Sequence, residues 1–417
     1  MRSRRRRTGP LEAEAQDAWA ETTGATVPVD NDGTVVVHFP GWRNRSAGPD
    51  FRDAVIEAQG ETVRGDVEVH RDARDWLRHG HESDPRYANV VLHVVGDAAD
   101  DPPGPARRAR VASLADASLV GAPMPFACRG GFDRRPEAVR TTLAALGMAR
   151  YRVAAARISS RLGGRAADVD GAADQIVFEE IAAALGFAGN EVAMRRCAQA
   201  VPLTTIRAMP TSGPGETDPA YEAMLTAGGT PGGGERFPTR LAPSGSFGGR
   251  DPIRWVLAGV RPSNHPRRRL AQLVAIARAW PDGGMRGAVR EALRATAHVP
   301  RRAGPRLRAL LAPNASAGSR AADVVVNVLV PLGRAVAVRD GDARAIEWAD
   351  AAFAAHATLS GNAVIARVAG RVGGGPRQVA HTAAAQQGLI AIWDGPCRPL
   401  RCDLCPLTCA DGSATPG

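Results

Sequence analysis

The hydrophobic pattern changes its period near Arg135, and this change constrains the fold more than any other feature of the chain. Before it, short alternating or β-branched segments at 34–39, 50–58, 61–70 and 89–95 are typical of strands. After it, apolar residues recur at helical spacing, as at 266–280. We therefore predict an α+β protein in which a small sheet domain precedes a mostly α-helical region.

The N-terminal elements have the predicted order α-β-β-β-α-β. A short helix at 11–21 comes first, and a helical turn at 71–81 separates the third strand from the fourth. A charged, proline-rich segment at 97–110 then indicates a linker, and we place the domain boundary near Cys128. The predicted domains are a sheet domain at 1–128, a helical domain at 129–395 with a flexible Gly/Pro-rich segment at 209–251, and a cysteine-rich metal-binding tail at 396–417.

The third strand carries a predicted polar face. Side chains alternate along a strand, so Asp66, Glu68 and His70 project to one side while the intervening valines project to the other. A turn at 59–60 makes this strand antiparallel to the one that Asp50 opens, which brings Asp50 towards Glu68. Two carboxylates are hard ligands that suit Mg²⁺ or Mn²⁺, and an ion held in this way suits phosphodiester hydrolysis.

Pro49-Asp50 followed by Glu68-Val69-His70, in this element order, resembles the PD-(D/E)XK nuclease superfamily. The resemblance implies that Asp50 and Glu68 bind the metal ion, that the Val69 carbonyl can complete its shell, and that Glu12 on the opening helix can contribute. His70 stands where the superfamily has lysine. Because histidine is mostly neutral at pH 7, His70 can act as a general base, although it can equally bind the ion.

These residues predict a Mg²⁺- or Mn²⁺-dependent nuclease that hydrolyses phosphodiester bonds of DNA or RNA. A first alternative is a non-catalytic protein that binds nucleic acid or serves as a scaffold, with the same fold and a structural metal site.

Six segments along the chain support a closer resemblance. They are GPDF (48–51), GDVEVH (65–70), DWLRHGH (75–81), YANVVLHVV (87–95), RPSNHP (261–266) and QQGLI (386–390). Together they resemble an uncharacterised bacterial family catalogued as domain of unknown function 2851, over nearly the whole chain. This resemblance implies that the chain has relatives in that family and that the similarity extends over nearly the whole chain. It implies no particular activity.

A second group of polar side chains follows the third strand. His79, His81, Asp84 and His93 are candidates for another metal or phosphate site. In that reading the protein is a histidine-centred metallohydrolase, with zinc or manganese, that acts on small phosphoesters. The other reading is structural: His93 caps the sheet together with neighbouring aromatic residues, His79 and His81 form local hydrogen bonds, and Asp84-Pro85 forms a turn.

Four of the six cysteines crowd the end of the chain, at Cys397, Cys402, Cys405 and Cys409. The spacing C-x4-C-x2-C-x3-C predicts a metal site, with an iron–sulfur cluster favoured over Zn²⁺ because zinc ribbons usually separate two CxxC pairs. Cys128 is an alternative to Cys409 as a ligand.

The basic balance of the chain is carried by arginine alone. The net charge is +10, the pI is about 10.4 and there is no lysine. This balance favours nucleic acid as a partner, although an arginine-, alanine- and glycine-rich composition also indicates a GC-rich genome. The basic run at 1–7 lacks the apolar core of a signal peptide, and arginine, aspartate or glycine interrupts each apolar stretch, so we predict a cytoplasmic protein without membrane association.

Overall fold

The computed structural model divides the chain into two compact units, one within residues 1–126 and one within residues 127–417. The structure describes residues 12–29, 33–44, 47–96, 110–113, 135–163, 171–186, 189–211, 216–228, 253–257, 260, 262–311 and 320–408. The predicted boundary at Cys128 lies outside these residues. The chain is an α+β protein with an N-terminal sheet and a mostly helical remainder, as the sequence predicts.

The described residues of the first unit form one mixed sheet and two short α-helices. In chain order the elements are α1 (Glu12–Ala20), β1 (Thr26–Val29), β2 (Gly33–Phe39), β3 (Trp42–Arg43), β4 (Phe51–Ala58), β5 (Glu61–His70), α2 (Asp75–Arg78), β6 (Val90–Val95) and β7 (Arg110–Ser113). The strand order is β2-β1-β7-β6-β5-β4-β3, and β2 also pairs with β4, so the pairings form a closed circuit.

This topology corrects the predicted α-β-β-β-α-β order, which omits β1, β3 and β7. The four predicted strands are present as β2, β4, β5 and β6. The omitted strands are two to four residues long, and β1 contains Pro28. Strands this short carry too little alternation to be separated from loops by sequence pattern. The structure thus shows a seven-stranded sheet and does not confirm the PD-(D/E)XK fold.

The hairpin β4–β5 positions the acidic residues. Its two-residue turn, Gln59-Gly60, has positive φ at both positions, which gives the twist that a tight hairpin needs. Near the other end of the hairpin, Phe51 pairs with Val67 but Ala54 pairs with Gly65, so β4 carries a bulge. Asp53 lies in this bulge with φ 57°, and its backbone N–H donates to Asp66 Oδ1 at 3.0 Å.

The inner face of the sheet forms the core of the first unit. Val67 and Val69 of β5 are fully buried there with Leu92 and Val94 of the parallel strand β6, and Trp19 of α1 closes the cluster. Trp19 Nε1 donates to the Pro40 carbonyl at 2.9 Å, so its polar atom is satisfied. Burial of the valines fixes the register of β5 and therefore sends Glu68 and His70 to the opposite face.

The second unit is built from helices packed around a large apolar core. Its helices are α3 (Pro136–Leu162), α4 (Ala172–Leu185), α5 (Glu191–Ala200), α6 (Leu203–Ala208), α7 (Pro219–Ala227), α8 (Pro266–Arg278), α9 (Gly284–Ala295), α10 (Ala303–Ala309), α11 (Arg320–Arg339), α12 (Ala343–Ala354), α13 (Ala363–Arg371), α14 (Pro376–Val379) and α15 (Ala383–Ile392). Helix α7 lies within the predicted flexible segment 209–251, much of which falls outside the described residues.

Helix α11 is the one helix in the described ranges with the length and hydropathy of a membrane span. Of the most apolar 18-residue stretch of this helix, 72% is buried inside the second unit. A core helix of a soluble protein can have the same length and hydropathy. It contains a π turn at Val325–Leu329. The prediction of a cytoplasmic protein is not tested by this observation.

Candidate metal centre

Asp50 and Glu68 lie beside each other where β4 begins. The backbone N–H of Asp50 donates to Glu68 Oε2 at 2.9 Å, and the backbone N–H of Val69 donates to Asp50 Oδ2 at 3.1 Å. Glu68 is buried, whereas Asp50 is half-buried. Burial raises the pKa of Asp50 to about 7, and the charge of Glu68 adds to this effect.

Two residues of helix α1 influence the pKa of Asp50. The charge of Glu12 raises the pKa of Asp50, while a hydrogen bond from the Gln16 side chain lowers it. Glu12, the implied third acidic ligand, therefore acts on Asp50 electrostatically. Gln16 is the closer contact of this helix.

His70 is the central imidazole of the site, with only 1% of its surface exposed. Its Nδ1 lies 2.8 Å from His93 Nε2, and its Nε2 lies 3.2 Å from His79 Nδ1 and 3.4 Å from Glu68 Oε1. Burial, the largest cause, and the neighbouring histidines together lower the pKa of His70 to about 2. His70 is therefore neutral at physiological pH and carries a single N–H.

His79 and His81 join this group because of the backbone at Gly80. Gly80 has φ 71°, which ends α2 and starts the 3₁₀ turn His81–Ser83. His81 Nε2 then lies 3.1 Å from Glu68 Oε1, and its ring is parallel to that of His70. One ligand atom each from His70, His79 and His81 lie within 4.8 Å of one another.

The structure thus combines two groups of residues that the sequence analysis treats as separate. His79, His81 and His93 meet His70 and Glu68 in one site rather than forming a second one. Asp84 is the exception: both of its oxygens accept from the Arg86 guanidinium, and its side chain caps the turn Pro85–Tyr87. The turn predicted at Asp84-Pro85 is present, whereas the purely local hydrogen bonding predicted in the structural reading for His79 is wrong.

Lone pairs converge at the centre of this site. When His70 donates from Nδ1 to His93, its Nε2 presents a lone pair both to His79 Nδ1 and to Glu68 Oε1, and the carboxylate oxygen is itself an acceptor. His81 Nε2 is buried and has no partner in hydrogen-bonding geometry, although the same carboxylate oxygen is close. Acceptors that face each other repel unless a proton or a metal cation lies between them. Imidazole nitrogens with a carboxylate are the donor set that Zn²⁺ and related transition metal ions prefer.

Aromatic side chains wall one side of the cluster. Tyr87 stacks on His81 with ring centroids 3.9 Å apart, and Trp76 lies against both His81 and His93. Burial raises the pKa of the Tyr87 hydroxyl. His79 is exposed and Asp50 is half-buried, so these two residues form the part of the site that is open to solvent.

The described residues therefore define an α+β chain with a buried cluster of histidine and acidic side chains on its sheet. Residues 22–103, about a fifth of the chain, match the model of a family described as "Protein of unknown function (DUF2851)". The matched range contains Asp50, Glu68 and the four histidines of the cluster, and it supports the resemblance to that family. It does not confirm the resemblance to the PD-(D/E)XK superfamily. Comparisons with curated proteins and with solved structures found no match.

A separate charged cavity of about 420 Å³ lies in the helical unit, between α3, α4, α5, α11 and α15. Glu180 of α4 lies at its wall with 2% of its side chain exposed, and it accepts hydrogen bonds from Arg157, Arg161 and Arg195. Burial alone raises the pKa of Glu180, but these three hydrogen bonds outweigh burial and bring it to about 2. The arginines here are thus held by an internal acidic group.

We expect Glu180→Gln to destabilise the protein by about 2–3 kcal/mol, because it leaves three partly buried guanidinium groups without their carboxylate. The wild-type pKa is depressed, so the unfolded chain binds the extra proton as the pH falls. The stabilisation is therefore complete above pH 4.5 and is lost towards pH 2. Urea denaturation across this range should show a steeper loss in wild type than in Glu180→Gln. Glu291→Gln, which removes an exposed partner of Arg294, should change stability little; equal effects of both variants would contradict the assignment.

Proposed function

We propose that the first unit is a metal-dependent hydrolase of phosphodiester bonds, with its ion held by His70, His79, His81 and Glu68. The observation that carries the proposal is the convergence of three imidazole nitrogens within 4.8 Å, beside a buried carboxylate that contacts two of them. Hydrogen bonds within the protein account for His70 Nε2, which lies 3.2 Å from His79 Nδ1, and for Glu68 Oε2, which accepts from the Asp50 N–H, but they do not account for His81 Nε2. Here the carboxylate and an unpartnered imidazole nitrogen face the same point.

This donor set narrows the choice of ion. The expectation from the carboxylates was Mg²⁺ or Mn²⁺, but Mg²⁺ prefers oxygen ligands and several waters. Three imidazoles favour Zn²⁺, and Mn²⁺ tolerates a mixed set of nitrogen and oxygen ligands. We therefore propose Zn²⁺ or Mn²⁺ at this site.

Each residue has a role that follows from its position. A bound divalent ion supplies Lewis-acid activation of water and of a phosphoryl oxygen. With His70 Nδ1 as the donor to His93 Nε2, His70 Nε2 would keep a lone pair with which to bind the ion. Asp50, half-buried at the opening and tied to Glu68 through its backbone, is placed to accept the proton of the attacking water. Trp76 and Tyr87 exclude bulk water from one side.

The substrate class is proposed from charge. The excess of arginine over acidic residues favours a polyanion, and DNA or RNA is the polyanion with hydrolysable phosphodiester bonds. Two arginines of the segment that carries His79 and His81, Arg78 and Arg86, are engaged by Asp75 and Asp84. Small phosphodiesters therefore belong in the test beside linear, nicked and branched nucleic acids.

Metal removal provides the direct test. We expect the full-length protein, after dialysis against a chelator, to lose phosphodiesterase activity and to regain it with Zn²⁺ or Mn²⁺ more than with Mg²⁺. His79→Ala/His81→Ala should bind about one equivalent of metal fewer than wild type. That difference in metal content distinguishes metal bound at this site from metal bound by the cysteines. His38→Ala, which removes an exposed histidine of the same unit, is the matched control.

Two outcomes would overturn parts of the proposal. Equal metal content in wild type and His79→Ala/His81→Ala removes the ion from this site. A metal-loaded protein that retains nucleic acid in a binding assay but cleaves no substrate of the panel replaces hydrolysis with the non-catalytic binding function.

A further inference from the structure

Three cysteines follow helix α15 on two consecutive turns, and the hydrolase site does not involve them. Cys397 ends the π turn Trp393–Cys397, Cys402 starts the 3₁₀ turn Cys402–Leu404, and Cys405 follows it. None of the three is in a disulfide, although all are close enough to influence one another electrostatically. Cys409, predicted as a fourth ligand, and Cys128, its predicted alternative, lie outside the described residues.

Hydrogen-bond donors surround two of the sulfur atoms. Arg371 of α13 points a guanidinium nitrogen at Cys397 Sγ from 3.8 Å, and a backbone hydrogen bond from Leu407 lowers the pKa of the Cys405 thiol against the effect of burial. A cysteine that only fills apolar space does not need donors at its sulfur. Metal-bound thiolates accept such hydrogen bonds, and these bonds help to set the properties of the bound group.

The turns that carry the cysteines are closed by their own backbone. The Cys405 N–H donates to the Cys402 carbonyl, and the Thr408 hydroxyl lies 2.7 Å from that carbonyl and 2.8 Å from the carbonyl of Cys405. Cys405 and Leu407 pack into an apolar cluster with Val139 and Leu143 of α3 and residues of α13 and α15. The segment is therefore fixed in place by packing and by its own hydrogen bonds.

Two quantities distinguish an iron–sulfur cluster from a single zinc ion: the spacing of the cysteines along the sequence and the distances between their sulfur atoms. Cys397-x4-Cys402-x2-Cys405 has the spacing of the first three ligands of plant-type [2Fe–2S] proteins. Zinc holds each sulfur at about 2.3 Å, so sulfurs that share one zinc ion lie at most about 4.6 Å apart. Among the described residues, the three cysteine sulfurs do not come within 4.8 Å of one another as a set.

We propose that Cys397, Cys402 and Cys405 bind an iron–sulfur cluster that anchors the C-terminal segment to α3, α13 and α15. The cluster requires ferrous or ferric iron and sulfide, which the cell's assembly chemistry supplies, and the role assigned to it is structural. This inference is independent of the proposed hydrolase, since its residues and its readout are separate.

The test is metal and sulfide analysis of the full-length protein purified without oxygen. We expect iron and acid-labile sulfide in equal amounts, with visible charge-transfer absorption that bleaches on reduction. Cys402→Ser and Cys405→Ser should lose most of the iron and sulfide. Cys197→Ala, at a buried cysteine of the helical core, should retain both.

Circular dichroism of the cysteine variants distinguishes cluster loss from unfolding. A wild-type protein that contains zinc and no sulfide, or that takes up no iron on anaerobic reconstitution with ferrous salt and sulfide, would overturn the proposal. Retention of the full cluster in folded Cys402→Ser and Cys405→Ser would also exclude these residues as ligands.

Discussion

Glu68→Gln is expected to reduce phosphodiester cleavage by on the order of 10³-fold, while leaving the fold of the first unit intact. Glutamine keeps an oxygen that can accept the Asp50 backbone N–H, so the link between β4 and β5 survives. What it removes is the negative charge that His70 and His81 share. Without this charge the site loses several kcal/mol of electrostatic stabilisation at the ion, and a loss of that size corresponds to a decrease in kcat of about 10³-fold.

A matched substitution separates chemistry from surface charge. Glu57→Gln removes one carboxylate from β4 of the same unit, where Glu57 is exposed and contacts His38. Its cleavage rate should equal that of wild type. If Glu68→Gln retains wild-type kcat with its metal bound, Glu68 has no part in the reaction, and if both variants lose activity equally, the effect is not specific to the site.

The position of Glu68 could be predicted because the information is local. Strands β4 and β5 are joined by a two-residue turn with a clear signal at Gln59-Gly60, and alternation along β5 assigns each side chain to a face. These two features are sufficient to bring Asp50 to Glu68. The bulge at Asp53 is not visible in the pattern, yet it lies between the paired positions and leaves that approach intact.

The full histidine cluster could not be predicted for a reason of geometry. Whether His79 and His81 face the same way depends on the conformation of Gly80, and the sequence allows both a helical and a left-handed backbone there. Their meeting with His70 further depends on the parallel pairing of β5 with β6 across a connection of 19 residues. The closure of the sheet through β2 and β4 is similarly non-local.

The helical unit shows the same division between local and tertiary information. Helix α8 begins at Pro266 and ends at Arg278, close to the predicted 266–280, because its apolar stripe and its first-turn proline are both local signals. The apolar stripe of one helix does not determine which other helix it crosses closely. The close crossing depends on small residues at the interface, as where Gly147 lies against Ala384 and Gly388 lies against Leu143.

Gly388→Ala is expected to destabilise the helical unit by about 3 kcal/mol, although alanine is the better helix former. Helices α3 and α15 cross so closely that a Cβ at position 388 would lie 2.0 Å from the Leu143 carbonyl oxygen. On the facing helix, a Cβ at position 147 would lie 1.8 Å from the Ala384 carbonyl oxygen. Backbone atoms cannot rotate away as a side chain can, so the helices must separate and the packing around Leu143 must open.

The control is Gly370→Ala, in helix α13, where a new Cβ meets nothing within 4 Å. This substitution should be neutral or stabilise the protein by up to about 1 kcal/mol, so the two glycine-to-alanine changes are expected to differ in sign. Urea denaturation followed by circular dichroism measures both. Because α15 leads directly into Cys397, separation of α15 from α3 should also lower the iron content of Gly388→Ala. Equal stability of the two variants would show that the α3–α15 crossing tolerates a methyl group and does not fix the position of the cysteines.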